Sequence, residues 1–295
     1  MAGQENKVSI VLPTRNGARY LRESMASCLN QTHRDIELLV VDDGSTDETP
    51  SIIRDFTDPR VVCLTQPQSV GLARALNIGF AAASGSYLTW TSDDNRYVPA
   101  AIETMLAVLR QNENVDFVYA RYDAIDEHGT VIRPGNVREP AALDYDNCIG
   151  GCFLYRRRVY EGTGNFNPAA FLAEDYEYWL RVRREFRMKR IDDALYYFRI
   201  HPASLTGRHS EKEVQEQVAR VRAPFVSTWK RHYFRGKRCF DGAQFREALW
   251  HLLVSSLLNP LHYETWRLLA LVILAVSPLT EIAPVKGFVE RRRPH

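Results

Sequence analysis

Over its first 95 residues the chain alternates apolar runs with amphipathic stretches, and each apolar run gives way to polar residues. The run "KVSIVLP" closes at Pro13 and precedes a helical pattern from Gly17 to Asn30; "IELLVVDDGSTDETP" repeats the arrangement with a helix from Thr49 to Phe56. "RVVCLTQ" reads as a third strand, "GLARALNIGFAAASG" as a third helix ending at Gly85, and "SYLTWTSDD" as a fourth strand. This βαβαβαβ order constrains the fold more than any other property of the chain. Helical crossovers between successive strands require parallel pairing, and a parallel sheet needs helices on both faces. Such sheets bind ligands beyond the carboxyl ends of their strands. Pro13, Thr14 and Arg15 stand there after the first strand, Asp42 and Asp43 after the second, and Asp93 and Asp94 after the fourth. They are expected to converge on one crevice.

From Asp116 the pattern changes. "DFVYARYDAIDEHGTVI" alternates like a hairpin with a turn at His128 and Gly129, and "GGCFLYRR" and "ALYYFRIH" are strand candidates flanking the helix "EDYEYWLRVRREF". The expected division is an α/β half over about 1–115, a mixed-sheet half with loops over 116–204, and a helical region over 205–295. In that last region "WKRHYFRGKRCF" and "FREALWHLLVSSLLNP", separated by Asp241 and Gly242, resemble a single tetratricopeptide-like hairpin; an apolar helix from Leu261 to about Val276 follows, before Pro278. Its run "LLALVILAV" is far short of the ~20 residues that span a bilayer. A core helix explains it, as does a peripheral contact with anionic membrane or a protein partner, since "ERRRPH" follows.

A formal net charge of +2 argues against a nucleic-acid partner, which calls for a large clustered basic excess. Five cysteines form an odd set, no export signal precedes them, and Cys148 and Cys152 lack the His or Cys pair that would complete a zinc site. Structural thiols in a cytoplasmic protein are expected. The oligomeric state is left open.

Two adjacent carboxylates at a strand end repel each other, so a fold retains them where a cation sits or where water solvates them. Mg²⁺ or Mn²⁺ is commonly held by one or two protein carboxylates together with substrate phosphate oxygens. Asp93 and Asp94 therefore read either as a metal and diphosphate site or as a capping loop.

The segments "VSIVLPTRN", "VVDDGSTDET", "GLARALNIG", "TSDDN" and "EDYEYWLRV" resemble, in order and spacing, the family 2 glycosyltransferases, nucleotide-sugar-dependent enzymes of the GT-A fold. The likeness runs from Lys7 to Thr206, about two thirds of the chain. It implies a Rossmann-like, mostly parallel sheet with helices on both faces, to which the C-terminal helices are an appendage. By the same resemblance Pro13, Thr14 and Arg15 line the nucleoside pocket, Asp43 hydrogen-bonds the base, Asp93 meets the ribose or sugar, and Asp94 binds Mn²⁺ or Mg²⁺. Thr91 stands where many members carry a further leading Asp. Asp175 matches the catalytic base at the start of a helix whose Tyr178 and Trp179 are candidates to wall the acceptor pocket; Glu174 is the rival base. His201 matches a residue brought to the metal or diphosphate, Arg74 is a candidate for the nucleotide, and Arg199 for phosphate or a surface ion pair. Gly151, with Gly150, falls where relatives place a loop under the donor sugar.

The implied reaction is inverting, non-processive transfer of one sugar, most simply from a UDP-sugar, to a saccharide or lipid-linked acceptor in cell-surface polysaccharide or glycolipid synthesis. It would proceed on the cytoplasmic side, in solution or peripherally at the inner membrane face. Two alternatives stand beside it. A sugar-nucleotide nucleotidyltransferase would show a glycine-rich loop with Arg and Lys where this chain has "PTRNGARY", and a non-catalytic carbohydrate-binding or scaffold protein would have lost the carboxylates that Asp94 and Asp175 retain.

Overall fold

The computed structural model describes residues 6–276, which form two compact units dividing between Val221 and Arg222. Sequence reasoning had drawn that line at Ser204. Pro278 and the basic segment 290–295 invoked for lipid contact lie outside the described residues.

The first unit opens with β1 (Val8–Thr14), α1 (Leu21–Leu29), β2 (Ile36–Asp42), α2 (Thr49–Arg54), β3 (Val61–Thr65), α3 (Leu72–Ala82) and β4 (Tyr87–Trp90). These four strands are parallel in the order β3-β2-β1-β4. Every residue of β1 and β2 is buried, as a sheet covered on both faces requires, whereas β3 is a half-exposed edge. One face packs Ile10, Leu12, Leu38 and Val40 against Leu21 and Met25 of α1. On the other, α3 lies so close that a Cβ on Gly79 would fall 2.3 Å from Val11 Cγ1.

The sheet continues through β5 (Arg96–Tyr97), β6 (Phe117–Ile125), β7 (Val131–Pro134), β8 (Phe153–Arg156) and β9 (Met188–Arg199), in the order β4-β8-β6-β9-β5 with β7 paired to β6. Here the pairing is mixed, antiparallel at β4/β8, β8/β6, β6/β7 and β9/β5, and parallel only at β6/β9. The expected hairpin is β6/β7, turning at Gly129 with φ +89°. Around this half run α4 (Ala101–Gln111), α5 (Arg157–Thr163), α6 (Glu174–Glu185) and α7 (Glu211–Arg222).

The third helix stops at Ala82 rather than Gly85 because Ala83 turns extended and frees Ser84 and Gly85 for a buried polar network. Ser9 faces Glu37 across β1 and β2. The Glu37 carboxylate accepts from Ser9 Oγ at 2.6 Å and from the Ser84 amide at 2.6 Å, and pairs with Lys7 Nζ at 2.7 Å. Burial opposes its ionisation, but these donors hold Glu37 down at about 2. Because the folded-state value lies below the unfolded one, the stabilisation is present at neutral pH and is lost as pH falls through the carboxylate range toward 2. Glu37→Gln is expected to destabilise the protein by about 2–3 kcal/mol at pH 7. Urea titrations should show that deficit shrinking at pH 3; the same deficit at both pH values would assign the effect to shape and not to charge.

The second unit contains α8 (Thr228–Asp241), α9 (Phe245–Leu258) and α10 (Tyr263–Val276). Its core joins Cys239 and Phe240 to Ala248, Leu252, Leu268 and Val272. A Cβ on Gly236 would lie 2.7 Å from Leu252 Cγ, so the glycine permits α8 and α9 to pack closely. No helix among the described residues is long and apolar enough to cross a membrane.

Candidate active site

The carboxyl ends of β1, β2 and β4 open into a cavity of about 360 Å³. Its lining includes seven residues nominated from sequence: Pro13, Thr14, Arg15, Asp43, Asp93, Asp94 and His201. Parallel pairing gathers them, since Thr14 lies opposite Asp42 and Trp90 opposite Val11.

The loops after β1 and β2 hold each other in place. Asn16 adopts the left-handed conformation (φ 54°), its Oδ1 accepts from the Thr46 amide at 2.8 Å, and its own amide donates to Ser45 Oγ at 2.9 Å. A Cβ on Gly17 would lie 2.1 Å from Asp93 Oδ2 and 2.6 Å from Thr14 Oγ1, so only glycine leaves the Asp93 carboxylate its position. Asp43 accepts from Ser69 Oγ at 2.7 Å, the Val70 amide at 2.6 Å and the Gly71 amide at 3.0 Å. A carboxylate has about four acceptor positions, so Asp43 shapes the loop before α3 and keeps capacity on the cavity side.

Thr14 Oγ1 donates to Asp93 Oδ2 at 2.5 Å. Burial, and then the neighbouring Asp94 charge, nevertheless push Asp93 up to about 7. Burial also raises Asp94, against the opposing pull of His201, whose Nε2 sits 3.0 Å from Asp94 Oδ2. The other oxygen of Asp94, Oδ1, is buried with no hydrogen-bond partner, and so is Nδ1 of His201. A bare carboxylate oxygen next to a second carboxylate costs free energy that a cation would recover. Asp94 and His201 therefore suit a divalent ion that takes its remaining oxygens from a ligand. No group of three or more metal-ligating side chains occurs among the described residues. Thr91, at the position of the extra family Asp, is 1% exposed, and its hydroxyl lies 2.6 Å from that of Tyr196; it belongs to the core.

Arg199 is not on the cavity wall where it would meet phosphate; it makes the expected ion pair, with half-exposed Glu23, but from the interior. It is 2% exposed and donates to the Asp94 carbonyl at 2.9 Å, to Glu23 Oε2 at 2.5 Å and to the Asp126 and Glu127 carbonyls, with the Tyr20 ring under its guanidinium. It is a strut that fixes the Asp94 backbone. Sequence reasoning missed Asn16, Gly17, Ser69, Ser204 and Arg208, all of which line the cavity. Gly17 was visible as a glycine just after the first strand; Arg208 carried no comparable signal.

Asp175 and Glu174 occupy the first turn of α6 and are not among the residues lining this cavity, although Phe171, on the same segment, is. The intervening Leu172 is buried at φ +66°, a strained conformation for a branched side chain, and redirects the chain into the helix. Asp175 is half-buried; its Oδ2 accepts from Asn147 Nδ2 at 2.7 Å and its Oδ1 from the Tyr176 amide at 2.7 Å. Burial raises Asp175, and the Asn147 bond opposes that rise. Glu174 is 5% exposed and is pushed up to about 7, mainly by burial.

Five candidates are corrected by their surroundings. Trp179 is fully buried, its ring 4.7 Å from Phe153 and 5.0 Å from Phe117, so it walls no acceptor pocket; Tyr178 likewise stacks on Phe166 at 4.1 Å. Gly151 meets Tyr196, where a Cβ would lie 3.0 Å from Cε1, and Gly150 meets Tyr122; the pair makes room for core rings. Arg74 is exposed on α3 and turns its guanidinium to the Val70 carbonyl at 3.3 Å, off the cavity wall.

The family model for Glycosyl transferase family 2 matches residues 9–164. An uncharacterized glycosyltransferase of Rickettsia prowazekii is 32% identical over 210 residues, which cover 68% of this chain and 65% of the relative, so the match spans about two thirds of that protein's length. The UDP-Glc:alpha-D-GlcNAc-diphosphoundecaprenol beta-1,3-glucosyltransferase WfgD of Escherichia coli is 29% identical over 188 residues, 63% of this chain and 73% of that one. Among solved structures, S. aureus TarS 1-349 in complex with UDP-GlcNAc superposes with a TM-score of 0.65 at 17% identity, covering 97% of this chain and 89% of TarS. The mannosyltransferase PcManGT from Pyrobaculum calidifontis, in complex with GDP-Man and Mn²⁺, gives 0.59 at 18% identity over 96% of this chain and 83% of that one. The structural likenesses agree with the GT-A architecture, and the sequence match over more than half of the chain assigns it: the protein belongs to glycosyltransferase family 2.

Proposed function

We propose that the protein is an inverting, non-processive glycosyltransferase that moves one sugar from a nucleoside diphosphate sugar, a UDP-sugar in the first instance, to the hydroxyl of a lipid-linked or saccharide acceptor at the cytoplasmic face of a membrane. The observation that carries this reading is the buried, unpartnered Oδ1 of Asp94 beside His201, in the same cavity as Asp43. The UDP-GlcNAc of TarS, the Mn²⁺ of PcManGT and the diphosphoundecaprenol acceptor of WfgD support it by analogy.

In this reading Pro13, Thr14, Arg15 and Asp43 hold the nucleoside, and Asp93, fixed by Thr14, faces the ribose or sugar. Asp94 and His201 would hold Mn²⁺ or Mg²⁺, which supplies positive charge against the charge that grows on a departing diphosphate. Arg208, exposed on the cavity wall, adds a cation to the same region. Asp175 accepts the proton of the acceptor hydroxyl. A single base and a single displacement entail inversion at the anomeric carbon. Asn147 orients that base, and its own Oδ1 is buried without a partner, an acceptor available to a substrate hydroxyl.

The metal is tested by titration calorimetry of UDP with and without Mn²⁺. The wild type is expected to bind more tightly with Mn²⁺, and Asp94→Ala to lose at least tenfold of that affinity while keeping its metal-free affinity. Equal affinity with and without Mn²⁺ in the wild type would remove the metal from the reading. The orienting bond gives a second prediction. Without the Asn147 donor the neutral form of Asp175 gains, so Asn147→Ala should move the rising limb of the kcat–pH profile to higher pH. On the acid side of that limb the loss is expected to be roughly tenfold, recovered at alkaline pH. A uniform loss at all pH values would make Asn147 structural only.

A further inference from the structure

The turn between α9 and α10 carries a concentration of exposed apolar side chains that the chemistry above does not use. Leu257 is 82% exposed, Leu258 51%, Leu261 92%, Tyr263 72% and Trp266 47%. Ten residues of chain hold all five, so they are neighbours in space. Along α9 the exposed positions Arg246, Trp250, Leu253 and Leu257 follow one helical face and lead into the turn.

The turn is built and not frayed. Trp266 Nε1 donates to the Pro260 carbonyl at 2.8 Å, His262 Nδ1 lies 2.6 Å from the hydroxyl of buried Thr265, and the His262 ring rests against Trp229 and Tyr233, each at 4.7 Å. That last contact brings the start of α8 beside the turn. α8 carries Lys230, Arg231, Arg235, Lys237 and Arg238 against the single acidic Asp241, and the one carboxylate of the turn, Glu264, is paired with Arg267 at 3.0 Å.

We propose that this turn is a membrane-docking tip, which inserts Leu257, Leu261, Tyr263 and Trp266 into the interfacial region of an anionic bilayer while α8 meets the lipid headgroups. Leu257 and Leu261, exposed by four fifths or more, project from the surface, so the feature is a wedge and not a groove for a partner helix. Trp and Tyr favour the boundary between headgroups and hydrocarbon, and adjacent Lys and Arg add attraction to anionic lipid. The surface is independent of the proposed chemistry, because none of these residues lines the cavity.

The test uses the full chain and sucrose-loaded vesicles of phosphatidylcholine with 30% phosphatidylglycerol, or of phosphatidylcholine alone, at roughly 0.1 M and 0.5 M salt. Wild type is expected to sediment with the anionic vesicles at least tenfold better than with neutral ones, and to lose most of that binding at high salt. Leu257→Ser with Leu261→Ser should lower the partition coefficient at least tenfold while the thermal melting temperature stays unchanged, since both side chains are solvent-exposed. Tryptophan emission should shift to the blue on binding in the wild type only. Equal binding of wild type and double variant would overturn the proposal and place any lipid contact elsewhere on the chain. Concentration-dependent self-association that the double variant abolishes, with no vesicle binding, would overturn it in favour of a second copy of the chain.

Discussion

Asp175→Asn is expected to reduce sugar transfer by about 10³-fold, the range of a lost general base, while nucleoside diphosphate affinity stays within a few-fold. Asparagine keeps the side chain's size, accepts from the Tyr176 amide and donates to Asn147 once that amide turns its Oδ1 inward, so what it removes is basicity. Such a loss corresponds to about 4 kcal/mol in the barrier. The measurement is steady-state nucleoside diphosphate release with acceptor, read beside calorimetry of UDP binding. Retention of more than a tenth of wild-type turnover would take Asp175 out of the mechanism and bring Glu174 forward. The pH dependence has a definite sign. Burial raises Asp175, so its reactive anion is disfavoured at low pH and turnover should climb as pH rises through its titration. Asn147→Ala moves that climb but leaves a climb to be seen; Asp175→Asn removes it.

The second large effect concerns stability. Trp179→Ala is expected to cost about 3–5 kcal/mol in unfolding free energy, the range for deleting a fully buried aromatic ring. The ring packs edge-on against Phe153 and Phe117, and Phe153 in turn stacks on Phe117 at 5.7 Å. Trp179→Phe should cost much less, since it keeps most of the volume and removes an indole N–H that is buried without a partner. Chemical denaturation measures both. An acceptor-wall role would give the opposite pattern: a raised KM for acceptor, unchanged stability and equal sensitivity to both substitutions.

Trp179 also shows why part of the site could not be read from the sequence. It follows a carboxylate that matches a catalytic position, yet on α6 it is four residues beyond Asp175 and faces the sheet. Residues four apart on a helix share a face, so what separates the two is depth: Asp175 stands in the first turn, and Trp179 one turn further in packs on Phe117 and Phe153. Arg74 failed because of its face. The spacing of α3 puts Ala75 and Leu76 inward and leaves Arg74 outward. Arg199 failed differently, because its partners Glu23, Asp94 and the turn at Asp126 come from three distant segments, and no local pattern announces a buried guanidinium shared among them.

The convergence of Pro13, Thr14, Arg15, Asp43, Asp93 and Asp94 was legible, since parallel strands in a covered sheet carry their carboxyl ends to one side whatever lies between them. Alternating apolar and amphipathic runs thus determined which residues meet at the cavity end of the sheet. Only the tertiary structure decided how those side chains are held: Gly17 leaving space for Asp93, the loop of Ser69 to Gly71 closing on Asp43, and Arg199 bracing Asp94. Periodicity is a property of neighbours along the chain, whereas steric clearance and the pairing of buried charge depend on atoms that the fold brings together from anywhere in it.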